Sequence, residues 1–480
     1  MSNGTSLSRR FEILAAASLA TTMTFLPASA RASPQESAEA PPAEAHGAAE
    51  GPERKGSELV EELTYAQHPG LPPAASKIFF SKRPWTISGF GELAHIHHFG
   101  EKNRASGDIE LYDTNLYRFV VYGAYRPTDW LVLYAEGFAE VFQDGFDEVH
   151  YEVLPEVFAD FLLTNPRDPE ARKRGPHIGP LNARVGFIQV PIGYINENDE
   201  PIMFYSVNRP EVERLVIPSQ WVELGAELYG KLGRHVEWLL HAFQGVDGQE
   251  LLGATWARRG RNPGYSFSSP AIAAQINVAP LEHLDLSVSG VAMESGGGRH
   301  IVVEGREQSI QARTGLVSGH VRYELDNWTV MVLAAAGYMA DTDQLYELTR
   351  RSDRGPQVLG ERTYGYYVEV GCDVLPYLRK PSGDPVHSPL YRSDEVQVPI
   401  FARYERLDTH ADIDATLARR LSPEQPIYRS DLDLITVGVN FKPRRNLVLK
   451  ADYTFRRNRA RGPGLAREGD QLELGLGFIF

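Results

Sequence analysis

The last ten residues alternate strictly. Leu472, Leu474, Leu476, Phe478 and Phe480 fall on one face of an extended chain, and Gln471, Glu473, Gly475 and Gly477 fall on the other, with Ile479 the apolar exception. Successive side chains of a β-strand point to opposite faces, so this pattern is a strand with one greasy and one polar side. The same period of 2, not 3.6, extends back to Trp85. Leu447, Leu449, Ala451, Tyr453 and Phe455 alternate with Val448, Lys450, Asp452 and Thr454. Ile435, Val437, Val439 and Phe441 alternate with Thr436, Gly438 and Asn440. About sixteen such segments lie near 87–98, 109–125, 130–143, 153–163, 181–190, 222–232, 235–243, 271–279, 285–294, 310–325, 328–339, 364–373, 398–407, 431–442, 447–455 and 471–480. Roughly 9–11 residues suffice for a tilted strand to cross a bilayer.

Alternation alone also suits a soluble half-buried sheet. The connections separate the two cases. Five of the seven after even-numbered segments are tight, as at Arg126-Pro127-Thr128-Asp129, Gly233-Arg234, Leu281-Glu282-His283, Asp326-Asn327 and Pro443-Arg444-Arg445. Two are longer, near 164–180 and 374–397, and those after odd-numbered segments are mostly long and polar. Short turns at one end and long loops at the other are the mark of an even-stranded outer-membrane barrel with both chain ends on the periplasmic side. The expected fold is therefore all-β, a transmembrane antiparallel barrel of about sixteen strands. Closure is obligatory in lipid, where an unpaired strand edge finds no water. Trp85, Tyr125, Trp130, Trp238, Trp328, Tyr364 and Phe480 fall at segment ends, where aromatic girdles sit at headgroup level. After the N-terminal segment no run of ~18 apolar residues occurs, so no membrane-spanning helix is expected there.

Arg9 and Arg10 precede an apolar run from Ile13 to Phe25, followed by Ala28-Ser29-Ala30 and Ala30-Arg31-Ala32. A positive start, a short apolar core and small residues at the cleavage positions read as a signal peptide over 1–32. Ser8-Arg9-Arg10-Phe11 also fits a twin-arginine signal, but that route carries folded cargo, which an apolar-surfaced barrel is not. Residues 33–80 are acidic and rich in Ala, Pro and Glu, and read as a disordered periplasmic segment. The barrel is assigned to 81–480.

The connection from Pro191 to Gln220, after the fifth strand, carries Met203, Phe204, Tyr205, Val216 and Ile217, which have no reason to be there unless they pack. It is expected to fold into the barrel and narrow it. Its charges are mixed, with Glu197, Asp199, Glu200, Glu211 and Glu213 against Arg209 and Arg214. Such charges either set ion selection at a pore constriction or pair with the wall and fix the loop. The polar phase of the strands places Arg118, Glu136, Glu156, Asp160, Arg184, Glu223, Glu227, Arg322, Glu324, Glu369, Arg403, Glu405, Lys450, Asp452 and Glu473 toward the lumen, ten acids against five bases. Arg or Lys at the bilayer midplane costs ~2–4 kcal/mol on the lipid face, which supports that placement. A wide pore, weakly cation-preferring or non-selective, is expected. The alternatives are a substrate-selective channel and a structural barrel plugged by its own loop.

The formal net charge of −14 argues against a nucleic-acid partner. Cys372 is the single cysteine, so no disulfide framework exists. His95 and His97 share a face of the first strand with His98 beside them, yet no third ligand accompanies them at metal-site spacing. No Gly-rich phosphate loop and no GxSxG motif occurs. No catalytic residue, metal or cofactor is expected, and the chain does not read as an enzyme.

The stretches GFIQVPIGYINENDEPIMFYSVNRPEVERLVIPSQW (186–221), VPIFARYERLDT (398–409), LITVGVNFKPRRNLVLKADYTF (434–455) and QLELGLGFIF (471–480) resemble the outer-membrane porins related to the phosphate-selective porins. The resemblance covers about 85–480. It implies a sixteen-stranded barrel with an inward-folded loop, an outer-membrane location among lipid, often a homotrimer, and recognition by the barrel-assembly machinery through Phe480. The phosphate-selective members line their pores with clustered lysines and arginines. This chain has no lysine between Lys102 and Lys173, between Lys231 and Lys380, or in the 191–220 connection, so it departs from that pattern.

Overall fold

The computed structural model describes residues 63–99, 113–144, 149–164, 178–251, 253, 268–303, 306–350, 355–378, 387–388, 391–425, 427–462 and 469–480. The expected signal peptide and residues 33–62 of the acidic segment lie outside the described residues. Sixteen strands close into one antiparallel barrel. They are β1 (Trp85–His98), β2 (Asp113–Thr128), β3 (Leu131–Asp144), β4 (Val149–Phe161), β5 (Asn182–Gln189), β6 (Val222–Leu232), β7 (Val236–Gln244), β8 (Pro270–Leu281), β9 (Leu284–Glu294), β10 (Arg313–Leu325), β11 (Trp328–Met339), β12 (Arg362–Asp373), β13 (Pro399–Asp412), β14 (Asp431–Arg444), β15 (Leu447–Asn458) and β16 (Gln471–Ile479). Each pairs with its neighbours in sequence, and β1 pairs with β16 from Phe90↔Ile479 to His98↔Gln471, which seals the sheet. The expected strand number and topology both hold, with ends differing by a few residues.

The shortest connections all follow even-numbered strands, with β4–β5 and β12–β13 the long exceptions. β2–β3, β8–β9, β10–β11 and β14–β15 are joined by two residues each. The end carrying these turns also carries the start of β1 and the end of β16. It is ringed by exposed Trp85, Tyr125, Trp130 and Trp328.

Burial alternates along the strands as the sequence requires. Val288, Val317, Ile276, Ile435 and Leu474 stand out on the outer face, while Ser287, Ser289, Ser318, Thr436 and Glu473 are buried on the inner one. An apolar exterior and a polar interior are what lipid outside and water inside demand.

The inner face is not polar throughout. Phe90 of β1, Val120 and Tyr122 of β2, Val132, Tyr134 and Phe138 of β3, Phe158 of β4 and Ile479 of β16 form an apolar cluster with Leu71, Ala74, Ala75, Ile78 and Phe79. Residues 63–80, read from composition as the end of a disordered segment, are therefore packed against the barrel wall. Leu71 to Ser76 are all buried, and a one-turn helix follows at Lys77–Phe80. An interior wall this apolar needs a cover, and this segment supplies it. The boundary at 80 expected from sequence is corrected accordingly.

Candidate functional site

The connection between β5 and β6 begins early. The β4–β5 ladder has only four pairs, Phe158↔Gly186 to Phe161↔Ala183. The ends of the connection are pinned together by the Val190 amide donating to the Trp221 carbonyl at 2.7 Å. Between these points its partners belong to strands across the closed sheet. The Val207 amide donates to Asp452 of β15 at 2.6 Å, the Asn208 amide to Glu473 of β16 at 3.2 Å, and the Val212 amide to Glu405 of β13 at 3.2 Å. Lys450 of β15 donates to the carbonyls of Phe204 and Ser206, both at 2.9 Å, and lies 3.8 Å from the centre of the Phe204 ring. All of these strand residues occupy the inward phase.

Apolar packing follows the same route. Ile192, Tyr194, Ile195, Phe204, Val212, Leu215, Val216 and Ile217 join a cluster with Leu316 of β10, Met331 and Leu333 of β11, Leu407 of β13 and Leu434 of β14. Each fully buried aliphatic side chain contributes about 1.5–3 kcal/mol. Inward glycines make room for this packing. A Cβ at Gly371 would run into the Tyr205 ring, and one at Gly477 into Pro201.

The charges expected to form a constriction are largely engaged in holding this segment. Glu213 accepts from the Tyr194 and Ile195 amides, both at 2.7 Å, and from the Tyr367 hydroxyl of β12 at 2.8 Å. Glu211 pairs with Arg214 at 3.3 Å and with Arg456 of β15 at 2.8 Å. Glu200 accepts from the Ala74 and Ala75 amides at 2.8 and 3.3 Å. Asp199 receives Gln220 at 3.5 Å. Glu197 is half-buried and faces a cavity that Asn277 also lines. Arg209 is buried near the Phe204 ring, and its Nε and Nη2 have no hydrogen-bond partner among the described residues.

The expected lumen residues form distinct groups. Arg118 pairs with Glu92 of β1 at 3.2 Å and with Glu140 of β3, two partners that the sequence reading missed. Arg184 pairs with Asp160 of β4 and Glu227 of β6, each at 3.0 Å, and Asp160 also accepts from Tyr229 at 2.5 Å. Arg403 pairs with Glu369 at 3.0 Å and Glu405 at 2.7 Å, and donates to Ser206 at 2.5 Å. Arg322 pairs with Glu324. Glu223 accepts from the Trp221 indole at 3.0 Å. Glu136 stands opposite Glu156 across β3–β4. His95 and His97 are exposed, and His95 meets Asn115 at 2.8 Å.

Space remains at the turn end. A cavity of about 230 Å³ is lined by Arg322, Glu324, Glu369, Asp373 and Lys442 with Tyr205 and Trp328. A second, of about 200 Å³, is lined by Glu197, Arg234, Glu237, Asp285 and Arg322. Tyr194 and Arg322 border both.

No family model matches the chain. An uncharacterized protein of Aquifex aeolicus is 26% identical over 407 residues, which cover 82% of this chain and 81% of that one. Among solved structures, OmpF of Salmonella typhi covers 82% of this chain and 97% of its own, at 9% identity and a TM-score of 0.43. The outer membrane channel DcaP of Acinetobacter baumannii covers 82% and 97%, at 10% identity and a TM-score of 0.41. An anion-selective porin from Comamonas acidovorans covers 82% and 99%, at 11% identity and a TM-score of 0.40. The fold assignment rests on the strand pairing itself.

Proposed function

We propose that this chain is a porin-like channel of a bacterial outer membrane that passes small hydrophilic solutes by diffusion. The carrying observation is a closed sixteen-stranded barrel with an apolar outer face, a charged inner face and open cavities at its turn end. No soluble role calls for a closed sheet with its apolar side outward. The short turns support a periplasmic position for that end, in keeping with the signal peptide read from the sequence. Lipid on the outer face, assembly through Phe480 and a homotrimer belong to the same reading. The charges at 197–214 are read as the framework of a narrow stretch whose free surface is small.

The preference is for cations, weakly, or for neither sign. The first cavity sets Glu324, Asp326, Glu369 and Asp373 against Arg322 and Lys442. The second sets Glu197, Glu237 and Asp285 against Arg234 and Arg322. Most charges deeper in the lumen are paired, so the net field is modest. Single-channel conductance and reversal potential in a planar bilayer test the reading. Strong anion selectivity would sink the preference, and the absence of any conductance would sink the channel.

A second reading is a barrel closed by its own connection. It is favoured by the apolar cluster that joins Ile192 to Val216 with β10, β11, β13 and β14. Small or rare conductance steps would support it.

A further inference from the structure

We propose that residues 67–81 are a removable stopper in the turn-end mouth of the barrel, and that Glu200 is the latch that holds it seated. The inference rests on the channel reading above and adds a gate to it.

Four side-chain contacts, with others from Arg184, Arg126 and Lys77, hold the segment. Glu200 Oε1 accepts from the Ala74 and Ala75 amides at 2.8 and 3.3 Å. Ser88 of β1 donates to the Ala74 carbonyl at 2.6 Å. His68 lies against Arg184 and the Tyr229 hydroxyl, both at 3.3 Å, and stacks on Phe79 with ring centres 3.7 Å apart. Gln67 donates to Asn198 at 2.9 Å. Two of the four, through Glu200 and Asn198, reach the β5–β6 connection and not the wall. Stopper and connection are thus joined by direct hydrogen bonds, while the connection keeps its own hold on β12, β13, β15 and β16.

The latch is built to be weak. Glu200 is fully buried, and its Oε2 has no partner among the described residues. A carboxyl buried with two amide donors, and with no ion pair among the described residues, is held less firmly than Asp160 or Glu227, which have Arg184. The segment leads into β1 through residues 82–84. The segment rests on the apolar part of the wall through Leu71, Ala74, Ala75, Ile78 and Phe79, and the Glu200 latch is the polar part of its seat.

The experiment compares the full mature chain with a chain lacking residues 33–81 in planar bilayers. The stopper predicts a several-fold larger and steadier conductance after deletion. A synthetic peptide spanning 63–81, added on the turn side alone, restores block. Glu200→Ala in the full chain raises the frequency of opening without changing the size of the fully open step, and it decides the matter if the shortened chain fails to assemble. Equal conductance and gating in all three proteins would overturn the stopper and leave the channel standing. Silence of all three would overturn both.

Discussion

The Tyr367 hydroxyl of β12 donates to Glu213 at 2.8 Å, while the same carboxylate accepts the amides of Tyr194 and Ile195 at 2.7 Å each. One side chain thus ties two stretches of the β5–β6 connection to a strand it is not adjacent to in sequence. Glu213→Ala strands two buried amides and a buried hydroxyl, at about 1–3 kcal/mol for each group left unsatisfied. The segment should loosen, with lower resistance to urea and noisier, larger conductance. Tyr367→Phe removes one donor only and should shift urea resistance by about 1 kcal/mol with little change in conductance. Equal effects from the two would show that Glu213 is not the hub.

Arg184→Ala should be the most damaging single truncation of the wall. It leaves Asp160 and Glu227 buried without their cation, a situation that costs about 3–5 kcal/mol. Arg184→Lys keeps the charge but cannot serve both carboxylates, His68 and the Pro69 carbonyl, which Arg184 reaches through its three nitrogens, Nη2 taking the last two. Unfolding midpoints should fall in the order wild type, Lys, Ala. A Lys variant as stable as wild type would mean that charge alone matters there.

The strands were legible because lipid imposes a strict code. A residue such as Val288 must be apolar and its neighbour Ser289 need not be, so each strand writes its own register. The stopper was not legible for the opposite reason. Leu71-Pro72-Pro73-Ala74-Ala75 continues the Pro- and Ala-rich composition of the preceding tail, and no periodicity marks it. The missed signal lay elsewhere, in inward-phase Phe90, Tyr122, Tyr134, Phe138 and Ile479, aromatic and apolar where water should be. The charges of the 191–220 connection were found, but their task depends on long-range partners, Tyr367 for Glu213, Arg456 for Glu211 and the Ala74 amide for Glu200, that spacing cannot reveal.

Selectivity should respond more to the charges that line the turn-end cavities, Glu237 with its Lys231 partner among them, than to those that hold the connection. Glu237→Lys with Asp285→Lys reverses two acids of the second cavity and should move the reversal potential toward anions. The shift should shrink between 0.1 and 1 M salt, as the screening length falls from ~10 to ~3 Å. Glu405→Gln, whose carboxylate is already held by Arg403 and the Val212 amide, should move it far less. The reverse ranking would place the selecting charges inside the segment.

Proton dependence should separate the two titratable anchors of the stopper. Burial and the Arg184 guanidinium push His68 well below its usual 6.5, with Lys231 adding to the same direction. Asp160, Glu227 and Tyr229 complete its surroundings through Arg184. The seated segment therefore favours neutral His68, and seating weakens as pH falls below about 6.5, by up to ~10-fold per unit. Glu200 behaves oppositely. Burial and neighbouring Asp199 push its carboxyl well above the usual 4.5, against the pull of the Ala74 and Ala75 amides, and Tyr122 and Tyr134 also face it. The seated state favours the protonated acid, so seating weakens as pH rises above about 4.5. The two trends oppose each other between these values and flatten the response of the unaltered chain. Glu200→Gln leaves only the histidine and should open more often in acid. His68→Gln leaves only the carboxyl and should open more often toward alkaline pH. Opening frequency from pH 4.5 to 7.5 reads both slopes, and slopes of the same sign would rule out this pair as the seat of the gate.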